Sequence, residues 1–146
     1  MGKIELDVHT HTIASGHSYS SMNEMVNEAK AKGLQLLGMV EHDVGIPGTC
    51  DPIYFKNYHV IPRVFNGLKI ILGIEVNILD YDGKLSISDD LYQCVDYCMA
   101  GIHFHCYKPG SIEQNTNAVI ETIKNPHISV IVHPDDGYCP LDYEKV

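Results

Sequence analysis

The stretch LKIILGIEVN, residues 68–77, decides the fold. Leu68 to Ile74 is almost wholly apolar and lacks the in–out alternation of a half-exposed strand. It therefore reads as a strand covered on both faces, which is the signature of a parallel sheet packed between other layers. The run then meets a carboxylate at Glu75, at the strand's C-terminal end.

On either side of this strand, short apolar runs alternate with amphipathic stretches. Ile4 to Val8 and Leu34 to Val40 read as the two strands before it. Between them Ser20 or Ser21 offers an N-cap, and Met22 to Lys32 reads as a helix with Met22, Met25, Val26 and Ala29 on one face. Gly33 stands where a helix C-cap favours glycine. Pro47 to Asp51 is predicted as loop and Ile53 to Phe65 as partly helical, interrupted at Pro62. Asp80 to Gly83 reads as a hairpin turn with Asp-Gly as its signal. Cys94 to Ile102 contains the fourth strand, Ile112 to Lys124 is a helix, and Ile128 to Val132 is the fifth strand. Pro140 to Val146 looks like the opening of a further helix. The result is an α/β sheet or barrel of about five parallel strands with flanking helices. A closed parallel barrel needs about eight strands and roughly 200 residues or more, which this chain of 146 residues does not supply.

Composition narrows the function. With 45% hydrophobic and 20% charged residues the chain is of ordinary globular type, and its length suits a single domain over residues 1–146. A formal net charge of −9 argues against nucleic acid or an anionic membrane as a general partner. The start, Met-Gly-Lys-Ile-Glu-Leu, is too polar for a signal peptide and lacks a myristoylation pattern. No apolar run reaches the roughly 18 to 20 residues that span a bilayer, so a cytoplasmic location is expected. The five cysteines, Cys50, Cys94, Cys98, Cys106 and Cys139, form no CxxC and read as buried or idle thiols. Cys94 and Cys98, four apart, could share a helical face, but no second pair accompanies them to complete a metal site.

Nine histidines are the unusual feature, and they fall in a pattern. The first strand runs into DVHTHT, with His9 and His11. The second ends in MVEHD, with Glu41, His42 and Asp43, and the third in GIEVN, with Glu75. The fourth ends in GIHFH, with His103 and His105, and the fifth in VIVHPDD, with His133, Asp135 and Asp136. In parallel α/β architectures these strand ends meet on one face, where sites are built. His9 and His11 are two apart on an extended segment and point to one side. Neutral imidazoles with a carboxylate form the ligand set that zinc, manganese or iron accepts. Glu75 has two oxygens with which to bridge, and His17 sits in a loop that can swing over the same mouth. Two metals roughly 3.5–4 Å apart suit hydrolysis of phosphate esters.

A lone histidine at a strand end is more often a surface residue than a ligand. The combination of HxH with His42, Glu75, His103 and His133 on separate strands reverses that reading. His59, near Tyr54, Tyr58 and Arg63, reads as structural or substrate-facing. His127 lies before the fifth strand, at the end away from the site, and reads as a solvated loop residue. His105 faces the same way as His103 if the strand alternation continues, which makes it a substrate-binding candidate. Arg63 and Lys108 are candidate phosphate contacts.

These motifs resemble the PHP family, named for its occurrence in DNA polymerases and histidinol phosphatases. DVHTHTIASGHSYS is similar to its first motif, MVEHD to the second, GIEVNI to the third, GIHF to the fourth and VIVHP to the fifth. The stretches IPRVFNGLKIILGIEVNI and QNTNAVIETI resemble in detail the small bacterial phosphatases with three zinc ions. The resemblance implies a (β/α)₇ TIM-like barrel, incomplete here, and phosphoester hydrolysis through two or three metal ions. Zinc is the first choice, with manganese or iron as alternatives. It implies His9, His11 and Glu75 at one metal, His17 and His42 at a second, and Glu75, His103 and His133 at a third, bridged by Glu75. Where Glu41 stands the family usually has Asp, in a role behind the ligands.

The family's late Asp-x-His motif has no counterpart here. The expectation is therefore either an N-terminal portion of the full barrel or a chain whose open edges are covered by a homo-oligomer or partner chain. Three functions follow: a phosphoesterase acting on a small phosphorylated substrate, a metal-binding but inactive module that needs a partner, and a carbon–nitrogen hydrolase of amidohydrolase type. The third usually employs a carboxylated lysine or a late aspartate, and no lysine is marked for that role.

Overall fold

The computed structural model describes residues 4–146. Of the polar N-terminal run, Met1 to Lys3 lie outside the described residues. Five parallel strands, β1 (Leu6–Thr10), β2 (Leu36–His42), β4 (Leu68–Asn77), β5 (Tyr97–Gly101) and β6 (Ile128–Ile131), form one sheet in the order β1-β2-β4-β5-β6. The sheet curls into a half-barrel flanked by helices, and β1 and β6 are its edges. This is the α/β class and the incomplete TIM-like barrel that the sequence suggested. Among the described residues no helix is long and apolar enough to cross a membrane.

The two faces of the sheet have different partners. The outward side chains Leu37, Met39, Ile70, Leu72, Ile74, Val76, Cys98 and Ala100 pack with α1 (Met22–Ala31) and α3 (Ile112–Ile123) through Val26, Ala29, Ala118 and Val119. Each long helix starts on a capping box, Ser21 with Glu24 and Ser111 with Gln114, which satisfies the orphan N–H groups of the first turn. The inward face is smaller: Val40, Met99 and Val132, with Val8 and Tyr97 against them. Tyr97 lies across the concavity and donates from its hydroxyl to the Val8 carbonyl at 2.7 Å. Gly73 makes room for it, since a Cβ there would come within 2.8 Å of the Tyr97 ring. These side chains form a floor, and the polar residues stand above it at the C-terminal strand ends.

Three expectations change. Val64–Phe65 is a short antiparallel strand, β3, paired with the start of β4. Asn66 and Gly67 turn the hairpin with φ of 50° and 87°, the positive values a two-residue I′ turn requires. The helical part of the segment before it is one α turn, α2 (Ile53–Lys56), followed by a 3-10 turn, Asn57–Val60. Pro140 to Val146 forms no helix; only a turn closed by Lys145 N–H to Asp142 C=O is present. Cys94 ends a 3-10 turn and Cys98 lies in β5, so they share no helical face, and all five thiols are free.

Candidate metal centre

The site is built around one carboxylate. Glu75 and Asn77 occupy alternate positions of β4 and emerge on the concave side, where Glu75 is fully buried at the foot of the cluster. Its Oε2 lies 3.1 Å from His9 Nε2, 3.1 Å from His11 Nε2 and 3.5 Å from His42 Nδ1. Its Oε1 lies 2.9 Å from both His103 Nε2 and His133 Nε2. Five imidazoles from four different strand ends thus converge on two oxygens. His17 completes the ring of side chains, with its centroid 5.2 Å from that of His11 and 4.9 Å from that of His42. The seven residues line one open depression of about 390 Å³.

Local backbone explains how each side chain arrives. His9 lies in β1 and His11 just beyond it, past an irregularity in the register with β2. A 3-10 turn, Ile13–Ser15, then folds the chain back and ends at Gly16 with φ 80°. A Cβ at Gly16 would fall within 2.4 Å of the Gly48 backbone, so only glycine lets the loop bearing His17 close on the loop after β2. His42 is the last residue of β2. His133 has φ 32°, a left-handed conformation unusual for histidine, and its ring nevertheless reaches Glu75. Non-glycine residues held in such backbone states cluster at functional sites.

One buried carboxylate ringed by imidazoles sets the electrostatics of the site. Burial alone would raise the Glu75 carboxyl, but hydrogen bonds from His103, His11, His133 and His9 outweigh it and hold it far below the usual range. Burial lowers His42 to about 3 against a weaker upward pull from Glu75. His133 is raised, chiefly by its hydrogen bond to Glu75. His42 Nδ1 is the telling atom: among the described residues it is the buried side-chain polar atom that has no hydrogen-bond partner. This buried, unpartnered imidazole nitrogen lies 3.5 Å from a Glu75 carboxylate oxygen, close enough for the two to share a cation. The ligand atoms form three mutually close triads: His9, His11 and Glu75; His11, His17 and His42; and His42, Glu75 and His103. The donor set of imidazoles and one carboxylate fits zinc, manganese or iron.

The remaining predicted residues are not in the cluster. Arg63 lies at the N-terminal end of β4, where its guanidinium is committed to Asp96 Oδ2 at 2.7 Å and to the carbonyls of Ile61 and Tyr58. β5 stops at Gly101, so the alternation that would have paired His105 with His103 does not continue. His105 is exposed on the following turn, against Phe104 at 3.7 Å between ring centroids. Lys108 lies in the same loop, lining a shallow depression with Phe104 and Tyr138. His59 bonds the Lys56 carbonyl, and His127 stacks on Tyr92 at the other end of the sheet. Asp136 caps a turn through Tyr138 N–H.

The sequence reading missed the residues that hold the ligands: Thr12, Ser15, Asn77 and Ser86. Of these only Asn77 carried a signal, two places beyond Glu75 on the same strand face.

A curled parallel sheet gathers a carboxylate and six histidines at its C-terminal rim, in groups close enough together that they could hold a metal ion. The chain belongs to the PHP domain family, whose family model matches residues 7–133. It is similar to probable phosphatases of Thermoanaerobacter pseudethanolicus, 43% identical over 145 residues, Acetivibrio thermocellus, 41% over 144, and Clostridium novyi, 40% over 144. Each match covers 99% of this chain but only 59%, 60% and 59% of the respective relative. The chain thus spans about three fifths of the length of these relatives.

Proposed function

We propose that the chain carries most of a metal-dependent phosphoesterase site in which His9, His11, His17, His42, Glu75, His103 and His133 bind two or three divalent cations, zinc in the first place. The observation that carries this reading is the fully buried Glu75 touched by imidazoles from four strand ends, with His42 Nδ1 left unpartnered beside it. The similarity to proteins named probable phosphatases supports the reaction type. Bound divalent cations would supply activation of water and neutralisation of charge on the phosphoryl oxygens. The chain's own contribution is to fix the geometry. Glu75 presents an oxygen to each side of the cluster, and the apolar floor of Val40, Met99 and Val132 keeps water from below. The open mouth admits a small phosphorylated substrate, with His105 and Lys108 on its loop as the candidate contacts.

The test is hydrolysis of a generic aryl phosphate by the purified chain with zinc or manganese added. Turnover abolished by a chelator and by Glu75→Gln supports the reading. Metal uptake without turnover in any oligomeric form would favour a binding module that is inactive alone. One observation favours that second reading: β1 and β6 are unpaired edges of a half-barrel, and parallel barrels complete their sites from all their strands. The remainder of a longer chain, a homo-oligomer or a partner chain covering those edges is the proposed remedy, and native mass spectrometry of the same sample reads the last two directly.

A further inference from the structure

Behind the histidines lie two hydrogen-bond chains that the ligand set does not include, and their directions follow from which atoms can donate. Glu41, fully buried on β2, accepts from Thr12 Oγ1 at 2.5 Å, from Thr12 N–H at 3.2 Å and from Ser15 Oγ at 2.6 Å. Ser15 Oγ has one proton, given to Glu41. It accepts the His42 backbone N–H at 3.2 Å and lies 2.9 Å from His11 Nδ1. With its proton spent, Ser15 can only accept from that ring, so His11 carries its hydrogen on Nδ1.

The second chain runs from Asn77. Its Nδ2 faces the Val44 carbonyl at 2.8 Å, and a carbonyl cannot donate, so the amide orientation is fixed with the NH₂ on that side. Ser86 Oγ accepts from Asn77 N–H and Nδ2, at 3.0 and 3.1 Å, and passes its own proton to Asp43 at 2.6 Å. Asn77 Oδ1 is therefore an acceptor, 2.8 Å from His103 Nδ1, and His103 too must carry its hydrogen on Nδ1. In both rings Nε2 is the nitrogen that faces Glu75, at 3.1 Å for His11 and 2.9 Å for His103, so any hydrogen it gives the carboxylate is the one a cation displaces, while the hydrogen on Nδ1 stays.

We propose that Glu41, acting through Ser15, and Asn77, held by Val44 and Ser86, are positioning residues that fix His11 and His103 as Nδ1–H tautomers with Nε2 presented to the cation. The proposal rests on the metal-site reading above. It gives Glu41, on β2, and Asp43, just past its end, a reason to flank His42: the same strand end that supplies a ligand also carries the carboxylate anchors for its neighbours. Such outer partners orient a metal-binding imidazole and raise its basicity, and their loss typically weakens metal binding roughly 10–100-fold.

The experiment is a long-range ¹H–¹⁵N correlation spectrum of the whole chain, labelled at histidine nitrogen and titrated with zinc alone. In the zinc-saturated protein His11 and His103 are expected to show a protonated Nδ1 and a metal-bound Nε2. Glu41→Gln should disturb the His11 pattern and leave that of His103, while Asn77→Leu should do the reverse, each with roughly 10–100-fold weaker zinc binding. A general packing defect would not separate the two rings in this way. Zinc bound through Nδ1 in either wild-type ring overturns the proposal without touching the metal reading, and it does so even if neither variant folds. Unchanged spectra and affinities in folded variants overturn it too. No zinc-dependent change at any histidine would sink the metal reading and this proposal together.

Discussion

Replacing His42 by leucine should change how the metal-free protein responds to acid. In the unfolded chain the ring titrates near 6.5, whereas burial in the fold holds it down to about 3. Between those values the unfolded state binds a proton that the folded state refuses, so stability must fall as pH falls through that window. Going from about pH 7 to about pH 4.5 crosses roughly two pH units of it. At about 1.36 kcal/mol per unit the ceiling is about 2.7 kcal/mol for this one ring. The side chain is only 8% exposed, so solvent screening takes little from that figure. His133 works in the opposite sense, since its raised value makes its bond to Glu75 a contribution present below the unfolded value and lost as pH rises. That term is common to both proteins, so their difference isolates His42. The assay is urea denaturation with a chelator present at the two pH values. The wild type should lose about 2–3 kcal/mol more than His42→Leu on acidification. Parallel losses would refute the argument that the His42 ring is buried, neutral and unpartnered.

Other outcomes follow from the same geometry. Glu75→Gln removes a ligand from two of the three triads and spares His11, His17 and His42, so equilibrium dialysis with metal analysis should show bound zinc reduced but not abolished. Saturating zinc at about 100 times its dissociation constant should stabilise the folded chain by about 2.7 kcal/mol, seen as a higher melting temperature that a chelator reverses. Ser111→Ala breaks the capping box of α3 and should cost about 1 kcal/mol in urea denaturation without altering zinc binding. Arg63→Ala should leave aryl phosphate hydrolysis unchanged in the folded fraction and lower stability, because the guanidinium ties Asp96 to two carbonyls at the end of the sheet away from the histidines.

The parallel sheet was legible because burial on both faces leaves a plain mark. Leu68 to Ile74 has no polar alternation, and every strand end that the sequence marked with a histidine or Glu75 does face the same rim. The boundaries were less legible. Glu75 lies inside β4 and β2 runs on through His42, because a polar residue at the rim can keep its ladder hydrogen bonds while its side chain faces the cavity. β3 was missed although Asn66-Gly67 is a strong turn signal, since the apolar and aromatic residues before Pro62 drew the whole segment into a helical reading. His105 was misplaced because alternation was carried past Gly101, where the strand has ended. Ser15 and Ser86 were not legible at all. A serine in a loop has no pattern of its own, and only the folded chain brings one beneath His11 and the other beside Asn77.

On the proposed reading, side chains from four strand ends hold divalent cations around Glu75. Anomalous scattering recorded at the zinc absorption edge, on crystals of the chain grown with zinc, tests it most directly. Two or three peaks are expected within bonding distance of Glu75 and the surrounding imidazoles, one of them at His42 Nδ1. A map with zinc elsewhere on the surface, and none among these seven residues, would contradict it.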